Sequence, residues 1–249
     1  MTPRVAEIGH LTTQGRATWT AIAELAERVP IDQWVVVGGQ MVAIHAALAG
    51  VDAPRVTDDG DVAVDVRGAG RRSMERVART LVDVGFTVLS SPDNVTRFVR
   101  NDATIDLLAP EGLDKPALTI PPGRAVQAPG ATQAIARRQP VTVNWVDGKT
   151  TISCPTLLGA IIAKAAGSRE IVSLTREARH KHQGDFVFLV SLATIVDPTE
   201  IDRSGLTAKD RKRLRAAIAP ILDDPIHPAR RFASNFADAA DLVAELTGS

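Results

Sequence analysis

Residues 59–66, DGDVAVDV, alternate without a break: Val62, Val64 and Val66 fall on one face, and Asp59, Asp61, Ala63 and Asp65 on the other. Successive side chains of an extended chain project to opposite faces, so the pattern predicts a half-buried strand with its valines inward. Further strands are available to join it. Residues 34–37 are a short β-branched run ending at Gly38-Gly39. Residues 95–100 and 103–108 flank Asn101-Asp102, and residues 141–146 and 149–153 flank Asp147-Gly148. Asn/Asp and Asp-Gly dipeptides between β-rich runs are hairpin signals. Helical periodicity predicts helices over 20–29, stopped by Pro30, over 40–48, and over 73–84, ending at Gly85. The stretch 110–140 is rich in Pro and Gly and reads as mostly loop.

After Pro155 the pattern changes. Residues 155–195 and 207–246 read as helical, with breaks at Asp197-Pro198 and over 223–228. The fold class is therefore α/β, with a mixed sheet in residues 1–154 and an α-helical half in residues 155–249. The chain has 29 Lys+Arg against 29 Asp+Glu, which argues against a protein that coats nucleic acid by bulk charge. A single cysteine excludes a disulfide framework and a Cys-rich zinc site. The opening MTPRVAEIGH has no apolar signal core, and the apolar run near Leu157 is broken by Lys164, short of the roughly 18–20 residues that cross a bilayer. These features predict a cytoplasmic protein with no membrane partner.

Chemistry is concentrated in few places. Gly38-Gly39, between a strand and a helix, lets the backbone approach a ligand and exposes free N–H groups to an anion, although a tight turn also uses glycine for steric reasons alone. Asp59 and Asp61 share one strand face with Cα atoms roughly 6.6 Å apart, a spacing that suits bridging of hard cations. Asp106 lies in an apolar strand, ATIDLLAP, where an acid is costly unless paired or metal-bound. If the strands are neighbours, the three acids form a cluster whose natural neutraliser is a divalent cation. The bland alternative is a solvated strand start and a capped strand end.

In the helical half, Lys164 lies on the inward stripe of its helix, placed either to reach solvent or to hold a phosphate. Lys181 and Asp185 are four apart on one helix face, the spacing of an ordinary surface salt bridge. His180 and His182 lack metal-ligand spacing, and Ser168, Ser173 and Cys154 have no local base or nucleophile-elbow glycines. The basic run over 209–215 reads as a solvated face or as a site for RNA or an acidic partner.

In combination these pieces resemble the minimal nucleotidyltransferase fold of the DNA polymerase β superfamily. The shared order is strand, Gly38-Gly39, helix, then Thr57-x-Asp59-x-Asp61, then an isolated strand aspartate, Asp106. Lys164 followed by Arg179-x-Lys181-x-x-x-Asp185, with Arg55-x-Thr57 before the acids, is similar to the AbiEii/MenT-like nucleotidyltransferase toxins over roughly residues 34–195. Three positions depart from the pattern: Gly60 between the acids, Gln40 after the Gly-Gly turn, and His182 in place of an aspartate.

The resemblance implies transfer of a nucleotide from an NTP to an acceptor, with Mg²⁺ or Mn²⁺ as cofactor held by Asp59, Asp61 and Asp106. It implies catalytic roles for those acids, Lys164 and Asp185, and nucleotide binding by Gly38, Gly39, Thr57, Lys164 and Lys181. A toxin of this kind would act on the tRNA 3′ end, here through the basic helix at 209–215, and would be paired with an antitoxin protein. Two other readings fit the same residues: transfer to a small molecule, as in aminoglycoside nucleotidyltransferases, and a non-catalytic nucleotide- or partner-binding module.

Overall fold

The computed structural model describes residues 3–91, 94–120, 123–171, 175–198 and 201–248. The chain begins with β1 (Arg4–Glu7), α1 (Thr13–Arg28), β2 (Trp34–Val37), α2 (Gly38–Leu48), β3 (Gly60–Val64) and α3 (Ser73–Asp83). A meander follows, β4 (Thr87–Ser91), β5 (Asn94–Arg100) and β6 (Ala103–Pro110). Then come the short strands β7 (Thr119–Ile120), β8 (Gly123–Arg124) and β9 (Val126–Ala128), the helix α4 (Ala131–Ala136), and the hairpin β10 (Arg138–Trp145) and β11 (Gly148–Pro155). The main sheet has the order β2-β3-β6-β5-β4, with β9 added alongside β6. It is mixed: β3 and β9 run parallel to β6, while β2–β3, β5–β6 and β4–β5 are antiparallel. A second sheet, β1-β10-β11, joins the N-terminal strand in parallel to the later hairpin.

The central strand β3 departs from the half-buried expectation. Val62, Ala63 and Val64 are all fully buried, because β3 lies between two strands and is covered on both faces. Gly60 belongs to this packing. It is in register with Ile105, and a Cβ there would meet Thr18, Ile105 and Ile22 at 3.0–3.2 Å, so α1 rests closely on the strand at that point. Just past the end of β3, Asp65 is buried and pairs with Arg138 at 3.1 Å.

Other differences have local causes. Helix α1 starts seven residues before the expected 20, capped by Thr12, whose hydroxyl accepts from Gly15 N–H and donates to Asp58. A glycine in the first turn had hidden that start. The stretch 110–140 is not mostly loop. It holds β7, β8, β9, α4 and the first residues of β10, elements too short to show a period. The Asn101-Asp102 hairpin forms as expected, with Asn101 at φ 52°. In the second hairpin the loop is Val146-Asp147. Gly148 is already paired with Trp145, whose ring leaves 2.9 Å for any added Cβ.

The helical half follows at once. Its helices are α5 (Leu157–Glu170), α6 (Arg176–Ile195), α7 (Ala208–Leu222) and α8 (Phe236–Thr247), capped in turn by Thr156, Thr175, Thr207 and Asn235. The expected helix over 155–195 is thus two helices; residues 172–174, Ser173 among them, lie outside the described residues. One hydrophobic core runs from Ala6 and Trp19 through Phe186 to Leu246, so both halves share it. Among the described residues no helix is long and apolar enough to cross a membrane.

The basic run on α7 is partly engaged within the chain. Arg213, only 4% exposed, bridges Glu170 and Glu111 at 2.5 and 2.8 Å. Arg211 and Arg215 donate to the carbonyls of Leu246 and Thr247 at the end of α8, and Lys209 lies 3.8 Å from Glu111. Of these cations only Arg213 is buried in ion pairs; Arg211 and Arg215 bond to neutral carbonyls and keep their charge, and Lys209, Lys212 and Arg215 are exposed.

Candidate active site

Sheet register assembles the acids. Asp61 on β3 lies opposite Val37 on β2 and opposite Asp106 on β6, and Asp106 lies opposite Arg97 on β5. Directly opposed residues on neighbouring strands present their side chains to the same face. Asp61, Asp106 and Arg97 therefore stand side by side across three strands. Arg97 donates from Nε and Nη2 to both carboxylate oxygens of Asp106, at 2.9 and 2.8 Å, and from Nη2 to Asp59 Oδ2 at 3.3 Å. In the described structure a counter-charge in the cluster is thus a guanidinium, where the sequence pointed to a divalent cation as the natural neutraliser. The Asp106 hydrogen bonds and the surrounding acids push the Arg97 pKa further up, so its charge is permanent.

Asp61 is in a different position. Burial and the nearby Asp106 raise its pKa to about 6, against the pull of Lys164 and Arg55. The influences on it are burial and neighbouring charges, with no hydrogen bond among them. Its oxygen lies over the Gly-Gly turn. Gly38 has φ +63°, and a Cβ there would stand 1.7 Å from Asp61 Oδ2. A Cβ on Gly39 would stand 2.3 Å from Thr57 Oγ1 and 3.2 Å from Arg55 Nη2. Both glycines are therefore required by close approach, the first to Asp61 and the second to the segment carrying Arg55 and Thr57. The N-terminus of α2 has no side-chain cap, which leaves its first N–H groups open beside Asp61. Gln40 is fully buried and donates to the Thr57 carbonyl at 3.0 Å, fixing that segment.

Across the cleft, Lys164 on α5 and Asp185 on α6 are both buried and meet at 2.8 Å. Arg55 grips the same carboxylate from Nε and Nη2 at 3.1 and 2.9 Å. Burial would raise the Asp185 pKa, but Lys164 and Arg55 more than offset it and hold the group ionised. The cation facing Asp185 is thus not Lys181, as helix spacing suggested. Lys181 is exposed and lies 3.6 Å from Glu177. His182 is neutral, its pKa lowered to about 4 by burial and by Lys164. A cavity of about 280 Å³ lies between the halves, bordered by Gly38, Met41, Asp61, Leu108, Lys164 and His182. Asp59, Asp106, Arg55 and Thr57 lie outside its wall.

The structure therefore brings together Gly38, Gly39, Thr57, Asp59, Asp61, Asp106, Lys164 and Asp185, and leaves Lys181 aside. Sequence reasoning passed over Arg97. A two-residue hairpin loop at 101–102 makes opposed residue numbers sum to 203, which already pairs 97 with 106. Burial drives the Cys154 thiol pKa up, in keeping with an inert core thiol.

Asp59, Asp61 and Asp106 supply only carboxylate oxygens, the donors a hard divalent cation takes, and Asp61 is a half-buried carboxyl with no hydrogen bond. In donor chemistry they fit. In arrangement they are drawn onto Arg97, and among the described residues no group of three such side chains is set as a metal cage. No protein-family model and no curated protein matches the chain. Among solved structures, the antibiotic-resistance factor ANT(2'')-Ia is similar at 15% identity, over 88% of this chain and 100% of that one, with a TM-score of 0.43.

The glycine turn gives a direct test. Gly38→Ala is expected to destabilise the fold by roughly 1–2 kcal/mol from the left-handed backbone alone, and to turn the Asp61 carboxylate out of the site. Urea midpoints check the first effect. A stability equal to the wild type would contradict the close approach.

Proposed function

We propose that this chain is a divalent-metal-dependent nucleotidyltransferase, taking a nucleotide from an NTP and passing it to an acceptor hydroxyl with release of pyrophosphate. The observation that carries the reading is Asp61: a half-buried, raised-pKa carboxyl without a hydrogen bond, beside Asp106, over an uncapped helix N-terminus, with a buried lysine across the cleft. Asp59, Asp61 and Asp106 would hold Mg²⁺ or Mn²⁺. When bound, such ions stabilise charge on the attacking and leaving oxygens of an in-line phosphoryl displacement. The chain's own groups would bind and orient. Gly38, Gly39 and the α2 N-terminus offer backbone N–H groups to phosphate oxygens. Lys164 and Arg55 offset the negative charge of the triphosphate, and Asp185 holds both cations in place.

A small hydroxyl-bearing acceptor suits a chain with no net charge and with the central arginine of its basic helix, Arg213, buried in internal ion pairs. The toxin reading, with a tRNA 3′ end as acceptor and an antitoxin as partner, is the other arm of the same test. A second reading, nucleotide binding without turnover, is favoured by the Arg97 clamp on Asp106. The deciding experiment incubates the chain with each α-labelled NTP, Mg²⁺ or Mn²⁺, and either tRNA or a panel of hydroxylated small molecules. Label on an acceptor with pyrophosphate release is expected. NTP binding without transfer in any combination would install the second reading.

A further inference from the structure

Of the acids at 59, 61, 65 and 106, every one but Asp61 is held by an arginine. Asp65 is held by Arg138 at 3.1 Å and by the Gly68 N–H at 2.9 Å. Asp106 is held by Arg97 through two hydrogen bonds, and the same guanidinium reaches Asp59. Asp61, between them, has none. The two arginines are not equivalent. Arg138 also donates to the Ile135 carbonyl at 3.0 Å and pairs with an Asp65 that is itself buried. The described contacts of Arg97 go only to the two carboxylates, and its side chain is 44% exposed, with Asp59 at 52%.

We propose that Arg97 is the resident cation of the acid cluster, neutralising Asp106 and Asp59 in the metal-free protein and competing there with a divalent cation, which must displace it. The inference rests on the metal-dependent reading above. A bidentate guanidinium engages both oxygens of Asp106 on the side shared with Asp59. A small divalent ion needs the same oxygens at about 2.0–2.1 Å, and two cations crowded on one carboxylate pair repel. The clamp can open, because the half-exposed arginine has solvent beside it and the weaker 3.3 Å contact to Asp59 is the first to release. The cost of a metal-free state with three crowded acids is thereby reduced, and metal affinity falls by the strength of the clamp.

The test is a Mn²⁺ titration followed by the electron paramagnetic resonance signal of the free ion, with thermal melting of the same samples, on wild type, Arg97→Gln, Arg97→Lys and Asp61→Asn. Charge-assisted hydrogen bonds of this kind are worth enough that Arg97→Gln is expected to bind Mn²⁺ about tenfold to a hundredfold tighter. Without metal it should melt below wild type, and the gap should close as Mn²⁺ is added. Arg97→Lys, which keeps the charge and loses the fork, should tighten binding less; it decides the matter if Arg97→Gln does not fold. Unchanged or weaker Mn²⁺ binding in these variants, with binding lost in Asp61→Asn, overturns the clamp and leaves the metal-dependent reading standing. No Mn²⁺ binding in any of the four overturns both.

Discussion

Asp61→Asn is expected to lower nucleotide transfer by at least about a thousandfold, while making the metal-free protein more stable at neutral pH. The loss follows from removing a ligand charge: metal stabilisation of the displacement is worth several kcal/mol, and each ~1.4 kcal/mol is tenfold in rate. The gain follows from the raised pKa. The folded protein holds the Asp61 proton to about pH 6, whereas an unfolded chain releases it near 3.8. Stability from this group is therefore fully present below the unfolded value and is lost as the pH rises from about 4 through 6. Above that range the wild type carries a penalty of about 2 kcal/mol, allowing for partial exposure of the carboxyl. The asparagine does not titrate, so the two stability curves should coincide near pH 4, diverge through pH 6 and run parallel beyond it. Urea midpoints at several pH values in a chelator give these curves, and Mg²⁺ should close the difference by stabilising only the wild type. Intact transfer, or equal midpoints at pH 8, would refute this role for Asp61.

Much of this site was legible in the sequence because it is written in backbone periodicity. The alternation over 59–66 placed Asp61 on a strand, the apolar run around Asp106 marked an acid in need of a partner, and Gly38-Gly39 marked a tight passage. What stayed hidden depends on which strands are neighbours. Strand order is non-local, so nothing near residue 97 announces that β5 and β6 place its guanidinium on Asp106, although the hairpin register contains that pairing. The assignment of ion pairs failed in the same way. Lys181 and Asp185 are correctly spaced on one helix, yet α5 and the segment after α2 supply Asp185 with nearer cations, Lys164 and Arg55. A buried carboxylate gains far more from buried partners than a surface lysine can give. The basic run on α7 repeats the point in one residue: Arg213, within a charge pattern that fits a solvated face, is buried between Glu170 and Glu111.

Asp185→Asn is expected to be the most destabilising polar substitution in the site, by roughly 3–5 kcal/mol, since it leaves the buried ammonium of Lys164 without its hydrogen-bonded counter-charge. That is a large share of the roughly 5–15 kcal/mol that holds a typical domain together. Lys164→Met should cost less, about 1–2 kcal/mol, because Asp185 keeps its two hydrogen bonds from Arg55. The double variant Lys164→Met/Asp185→Asn should be more stable than Asp185→Asn alone, since no buried ammonium remains. Function should rank the residues differently. Lys164 borders the cavity with Asp61, so its loss should weaken NTP binding directly. Asp185 acts by holding Lys164 and Arg55, and a bound triphosphate supplies the anion those cations lack when Asp185 is neutralised. Saturating NTP should therefore raise the melting temperature of Asp185→Asn more than that of the wild type. Equal NTP-induced shifts in the two proteins would mean that the triphosphate does not reach Lys164 and Arg55, and would remove them from the nucleotide site.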